Sequence, residues 1–196
     1  TTQLRESLKQ RACESIDKLK NDLVGISHDI HAHPEENYEE HFAHKRLTDA
    51  IGDNKLDVTR KAYDIDTAFD VAVGSKGTTV AVLCEYDALP GIGHACGHNI
   101  IAAAGLGAGL ALAGLAEEAG GKLRLMGTPA EEGGGGKIEM ARKGAFVGVD
   151  AAMMIHPADR ELARMNAIAI QHCLVKYTGE AAHAAVSPHL GRNALD

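Results

Sequence analysis

TTVAVLCEYDALPGIGHACGHNIIAAAGLGAGLALAGLAEEAGGKLRLM, residues 78–126, decides the architecture of this chain. Thr78 to Cys84 is a short run of β-branched and apolar residues and reads as a strand. EYDALPGIGHACGHN (85–99) has turn residues, no hydrophobic period and a dense set of polar side chains, which makes it a loop. Ile100 to Ala116 carries no charge and is mostly Ala and Gly, and it reads as a buried helix. Its glycines at 105, 107, 109 and 114 admit a sheet closely, at a cost in helix stability that packing must offset. Lys122 to Met126 is the next strand.

The pattern repeats outward from this stretch. TPAEEGGGG (128–136) is a second polar, Gly-rich loop, followed by a short helix at about 137–143 and a strand from Asp150 to Ile155 that ends at His156-Pro157. Upstream, Leu4, Leu8, Ile16, Leu19, Leu23 and Ile26 fall on a helical period, so residues 4–31 form one long amphipathic helix, interrupted by Pro34. A second helix is expected at about 37–51. AFDVAV (68–73) reads as a strand, and Gly74 to Gly77 as a turn that joins it to 78–84 in a hairpin.

Strands alternating with polar loops and helices predict an α/β fold, a mixed sheet covered by helices on both faces. In such sheets ligands gather at the carboxyl ends of strands. The three polar clusters, 85–99, 128–136 and 156–157, each follow a strand. Past residue 166 the texture changes. Ala167 to Tyr177 alternates and reads as a long strand, and GEAAHAAVSPHLGRNALD (179–196) ends in a helix that begins at Asn193. The chain therefore divides into a main unit, 1–165, and the start of a small α+β unit, 166–196. Because that helix would be cut after one turn, the chain is expected to continue beyond residue 196.

Composition narrows the function. Hydrophobic residues are 45% and aromatics 4%, with no Trp, so Ala, Val, Ile, Leu and the 22 glycines must build the core. A net charge of -7 argues against a nucleic-acid surface, which needs a basic stripe. The four cysteines, Cys13, Cys84, Cys96 and Cys173, form no CxxC pair and suggest no disulfide framework. The apolar stretch 100–116 falls short of the ~20 residues of a membrane span. The charged N-terminus has no apolar signal region, and the expected location is the cytoplasm.

Three clusters carry chemistry. Cys96 and His98 flank Gly97; thiolate and imidazole ligate zinc and related metals, and the alternative is a buried Cys beside a surface His. Glu131 and Glu132 precede four glycines; one carboxylate can ligate a metal and the other take a proton from water, or both can be a solvated turn. His156 at a strand end is a ligand or a half-exposed cap. A Cys, two His and two Glu at neighbouring strand ends form a hydrolytic metal centre with ligands, a base and an open position. The other histidines have blander readings. His28, His41 and His44 are expected to face solvent, His31 and His33 to cap a helix end, and His172 to be structural.

HACGHN (94–99), EYDALP (85–90), TPAEEGGGGK (128–137), IHP (155–157) and GEAAHAAVSPHLGRNALD (179–196) together resemble the aminoacylase and exopeptidase family of two-metal amidohydrolases. IHAHPEENYEE (30–40) also fits the branch of aminobenzoyl-glutamate, hippurate and indoleacetyl-amino-acid hydrolases. The resemblance implies cleavage of the amide bond of an N-acyl amino acid or dipeptide, with two divalent ions, zinc or manganese. It implies Cys96, His98, Glu132 and His156 as metal ligands, Glu131 as general base and Asp87 as the residue orienting the site. It implies that 166–196 begins a lid domain through which some members dimerise. There His183 would polarise the scissile carbonyl and Asn193 contact the substrate carboxylate or the oxyanion. Asn99 stands where many relatives have Asp, and the family's last ligand, a His, would lie beyond residue 196. The rival readings are a catalytically degenerate metal-binding protein and an interaction module of the same fold.

Overall fold

The computed structural model describes residues 2–163, 165, 169, 171 and 173–195. The chain forms two units, Thr1–Asp159 and Arg160–Asp196. The first is built on a five-stranded mixed sheet of β1 (Thr59–Arg60), β2 (Phe69–Val73), β3 (Thr79–Cys84), β4 (Lys122–Gly127) and β5 (Ala151–Met153), in the order β1-β2-β4-β3-β5. The predicted hairpin of β2 with β3 does not form. β4 lies between them, antiparallel to β2 with Phe69 opposite Gly127, and parallel to β3 with Thr79 opposite Lys122. β3 pairs on its other edge with β5, also in parallel. The reason lies in β3 itself. Its near-continuous apolar run is the pattern of a strand buried on both faces among parallel neighbours, which it has in β4 and β5.

Alternate side chains of the strands feed two cores. Phe69, Val71, Val82, Cys84, Leu123 and Leu125 face α1 (Thr2–Ala32), α2 (His41–Asp53) and α3 (His98–Ala113). Ala81, Leu83 and Met126 face the opposite way, against Met140 of α5 (Gly136–Arg142) and the 62–68 segment. Both faces are thus covered, as expected, and a short α4 (Ala116–Ala119) leads into β4. Two α3 glycines meet the sheet. A Cβ at Gly105 would stand 2.6 Å from Cys84 Sγ, and one at Gly109 would stand 2.6 Å from a Leu125 methyl. Gly107 faces Leu23 of α1 instead, and Gly114 has nothing within 4 Å, so it plays no part in the contact. No helix among the described residues is long and apolar enough to cross a membrane.

α2 begins at His41, later than predicted. Tyr38 has a left-handed φ of 63°, which no helix can run through. The Glu35 carboxylate instead accepts from Phe42 N at 2.9 Å and Ala43 N at 3.1 Å, satisfying the helix's free amides. The helix buries Ala43, His44, Leu47, Thr48, Ala50 and Ile51. His44 is therefore not solvent-facing; it packs beside Phe69 with ring centroids 6.2 Å apart. The period that buries Leu47 and Ile51 brings His44 in with them.

Burial holds His44 neutral, its pKa below the ordinary value, and Arg60, Lys61 and His41 act in the same sense, opposed by a backbone hydrogen bond at Ala68. The unfolded chain protonates this residue below about pH 6.5 while the folded one does not. Stability is thus lost as pH falls from that point and levels off below the folded pKa. His44→Gln should flatten this acid branch, giving a shallower fall in Tm between neutral pH and pH 5. An unchanged slope would remove His44 as its source.

In the second unit, Glu180 and Arg192 exchange backbone hydrogen bonds of 2.8 and 2.9 Å across an antiparallel bridge, and Pro188–Leu190 form one 3₁₀ turn. Much of the strand expected over 167–177 lies outside the described residues, as does His172. Residues 173–177 are described, exposed and not in a strand. Ala194 and Leu195 form a turn in which Asn193 Oδ1 accepts from the Leu195 amide at 3.1 Å, the contact a helix N-cap makes.

Candidate metal centre

The parallel strands β3, β4 and β5 end on the same side of the first unit. Glu85, Tyr86 and Asp87 leave β3, and Thr128 to Glu132 leave β4. Thr128 donates its N–H and its hydroxyl to Cys84 O, at 2.8 and 3.1 Å, and so ties the two strand ends together. β5 stops at Met153, so His156 stands on the following loop rather than on the strand. His98 is the first residue of α3 rather than part of the loop. Gly97, before it, has φ 84°, and a Cβ there would come 2.9 Å from Pro157 Cγ. Glycine is needed between Cys96 and His98 both for this conformation and for the approach of the His156-Pro157 loop.

His98 is fully buried at the centre. Its Nδ1 lies 2.9 Å from Asp87 Oδ1, and Asp87 Oδ2 accepts from Glu132 N at 2.8 Å. One carboxylate thus orients the ring and fixes the backbone of the carboxylate pair. In the neutral ring the proton sits on Nδ1 and Nε2 presents its lone pair. Around Nε2 stand Glu85 Oε2 at 3.5 Å, Glu132 Oε1 at 3.5 Å and Glu131 Oε2 at 3.8 Å. Cys96 Sγ lies 3.7 Å from His156 Nε2, whose ring is held by Nδ1 on Pro157 O at 2.7 Å. Two ligand sets emerge: Cys96, His98 and His156, and Glu85, His98 and Glu131, each with donor atoms within 4.8 Å of one another.

The electrostatics fit a cation. Among the described residues, His98 Nε2, Glu85 Oε2 and Glu132 Oε1 are buried with no hydrogen-bond partner, and all three converge. Burial of such groups is costly unless they are paired or hold a metal. Burial raises the Cys96 thiol, and Glu132, Glu131 and Glu85 raise it further, to about 12. Burial also opposes ionisation of Asp87, but His98 and the Glu132 amide overcome it and hold its carboxyl below the ordinary value. For His98, burial disfavours the charged ring, and Asp87, Glu85 and Glu132 reverse that and raise its pKa. A thiol, two imidazoles and the three carboxylates of Glu85, Glu131 and Glu132 form the donor set of a divalent transition metal.

The carboxylate loop is held from the segment between α1 and α2. Ala130, at a left-handed φ of 57°, donates its amide to the fully buried Glu40 at 2.8 Å. Gly133 N donates to Asn37 Oδ1 at 3.1 Å, and the Tyr38 hydroxyl to Gly134 O at 2.9 Å. This clamp, together with Glu85 and its ion-pair partner Lys137, was not among the expected site residues. The quoted EYD, EENYE and GGGGK motifs contained these residues, but nothing in their spacing joins them. Asn99 turns away from the centre, its Nδ2 2.9 Å from Ser27 Oγ of α1, so an Asn in place of Asp leaves the ligand set untouched.

The first unit brings together Asp87, Cys96, His98, Glu131, Glu132 and His156. His183 and Asn193 lie in the second unit, where His183 Nδ1 accepts from Ala185 N and Val186 N at 3.2 Å, closing a turn.

Residues 63–192 match peptidase family M20/M25/M40. The chain belongs to this family. Among its relatives, the Xaa-Arg dipeptidase of Mus musculus is 42% identical over 205 residues, covering 97% of this chain and 48% of that protein. One component of the p-aminobenzoyl-glutamate hydrolase of Escherichia coli is 36% identical over 203 residues, covering 93% of this chain and 42% of the relative. The chain therefore spans about half the length of these curated relatives. The fold matches the crystal structure of a Bacillus subtilis protein described as a dinuclear metal binding peptidase of the M20 family. The TM-score is 0.63 at 23% identity, over 69% of this chain and 42% of that one.

Proposed function

We propose that this chain carries the metal-binding half of an amidohydrolase that cleaves N-acyl amino acids or dipeptides. The observation that supports it best is the convergence of three unpartnered buried atoms, on His98, Glu85 and Glu132, beside Cys96 and His156. In this reading Cys96, His98, Glu132 and His156 hold two divalent ions, zinc or manganese. When bound, the ions acidify a water and polarise the scissile carbonyl.

The chain's own residues do the rest. Asp87 holds the His98 ring by its Nδ1 proton and pins Glu132 through its amide. Glu131, its side chain 43% exposed against 16% for Glu132, reaches the open side and takes the proton of the attacking water. It then returns that proton to the leaving amine. In this proposal His183 contacts the carbonyl and Asn193 the substrate carboxylate or the oxyanion; their support is the GEAAHAA and GRNALD motifs.

The test is metal content. Elemental mass spectrometry after gentle desalting should find between about one and two equivalents of transition metal per chain, lost in Cys96→Ser and His156→Ala. Metal-loaded protein should then be offered N-acyl amino acids and dipeptides. No metal after zinc or manganese is supplied would overturn the assignment and favour an interaction module.

A further inference from the structure

Glu85 stands directly after β3, its side chain 3% exposed, and its two oxygens have different surroundings. Oε1 is ion-paired with the Lys137 ammonium, from the first turn of α5. Oε2 has no hydrogen-bond partner and lies 3.5 Å from His98 Nε2. With Nδ1 engaged by Asp87, Nε2 faces the same space as this carboxylate oxygen. Two buried polar atoms without hydrogen-bond partners, aimed at one space, suit a shared cation. The same carboxylate groups with Glu131 on the open side of the cluster.

We propose that Glu85 is an additional metal ligand of this centre, and that Lys137 selects which of its oxygens faces the ion. The proposal rests on the metal-site reading above and extends it. Lys137 acts as a positioning residue. It neutralises most of a buried carboxylate's charge and blocks the rotation that would turn Oε1 inward, so Oε2 is presented in one orientation. Its place after the Gly133–Gly136 run fits that task, because α5 starts there and carries the ammonium back over the end of β3.

Cobalt(II) alone, titrated into the 196-residue chain, tests this through visible absorption and bound-metal stoichiometry. Wild-type protein should bind and show thiolate-to-cobalt absorption that Cys96→Ser removes. Glu85→Gln keeps the side chain's size and should raise the apparent Kd about 10–100-fold, as loss of a supporting or ligating group typically does, with altered d–d bands. Lys137→Met should weaken binding in the same direction, and Lys137→Arg should restore most of it. Glu85→Asp, which retracts the carboxylate but keeps its charge, serves if the Gln variant does not fold by circular dichroism; it should also weaken binding and shift the bands.

Binding within about threefold of wild type and unchanged bands in the folded Glu85 variant would overturn the proposal while leaving Cys96 and His98 as ligands, since the expected loss is at least tenfold. In that case the contact between Glu85 and His98 would be an imidazolium–carboxylate pair. Failure of the wild-type chain to bind cobalt would reject the metal-site reading and the Glu85 assignment with it.

Discussion

Glu131→Gln should lower kcat by about 10²–10⁴-fold, the range lost with a general base, in any form of this protein that hydrolyses a dipeptide or N-acyl amino acid. Bound metal should not change. Gln matches Glu in size, and the loop that carries it is held by other residues: Glu40 at Ala130, Asp87 at Glu132 and Asn37 at Gly133. The substitution therefore removes proton acceptance without releasing the backbone. KM should stay within a small factor, because a group that acts in the transition state leaves ground-state binding alone. Turnover near the wild-type rate would remove Glu131 as the base. Loss of metal instead would make it a ligand, in line with its grouping with Glu85 and His98, and would hand the base's role to Glu132.

How much of this was legible in the sequence depends on the range of each interaction. The α/β class followed from local pattern, since β3, α3 and β4 each carry a clear apolar signature and occur in order. Partner choice did not follow. Nothing local distinguishes a β2–β3 hairpin from the observed insertion of β4 between them, and only the burial of β3 on both faces tells against it. His44 was misjudged for a related reason: a His on a charged helix looks exposed until the helical period of Ala43, Leu47 and Ile51 is given priority.

The centre shows the same division. Cys96 and His98, Glu131 and Glu132, and His156 were readable because each pair is short-range and each cluster follows a strand. Asp87 needed the family motif, and the structure gives it a physical task on both His98 and Glu132. Glu85 was hidden because a Glu following a strand is commonplace. Its role depends on Lys137 and His98, which reach it from two other elements. The clamp of Asn37, Tyr38 and Glu40 was hidden likewise, since its partners in the 130–134 loop lie 90 to 96 positions away in sequence.

His98→Ala should produce the largest loss of stability of any single change at the centre. The side chain is fully buried and is the one group common to both ligand sets. Removing it strips Asp87 of its hydrogen-bonded partner and leaves Glu85, Glu132 and Asp87 facing one another over a cavity. Breaking a buried pair in this way typically costs about 3–5 kcal/mol. It also removes metal linkage, which for the intact site adds about 4 kcal/mol at a metal concentration about 1,000 times Kd. For a domain of this size that linkage corresponds to a rise of about 8–16 °C in Tm. Wild-type protein should melt higher with zinc or manganese and fall back on chelation, whereas the His98→Ala protein should melt low in both conditions. His98→Gln should keep some of the Asp87 contact and still lose the metal response, separating ligation from packing. A chelator that leaves the wild-type Tm within about 1 °C, far below the linkage shift, would place the ion elsewhere, as would an Ala variant that responds to metal as wild type does. The three converging buried atoms would then have to be explained by protonation, with His98 as a permanent imidazolium among its carboxylates.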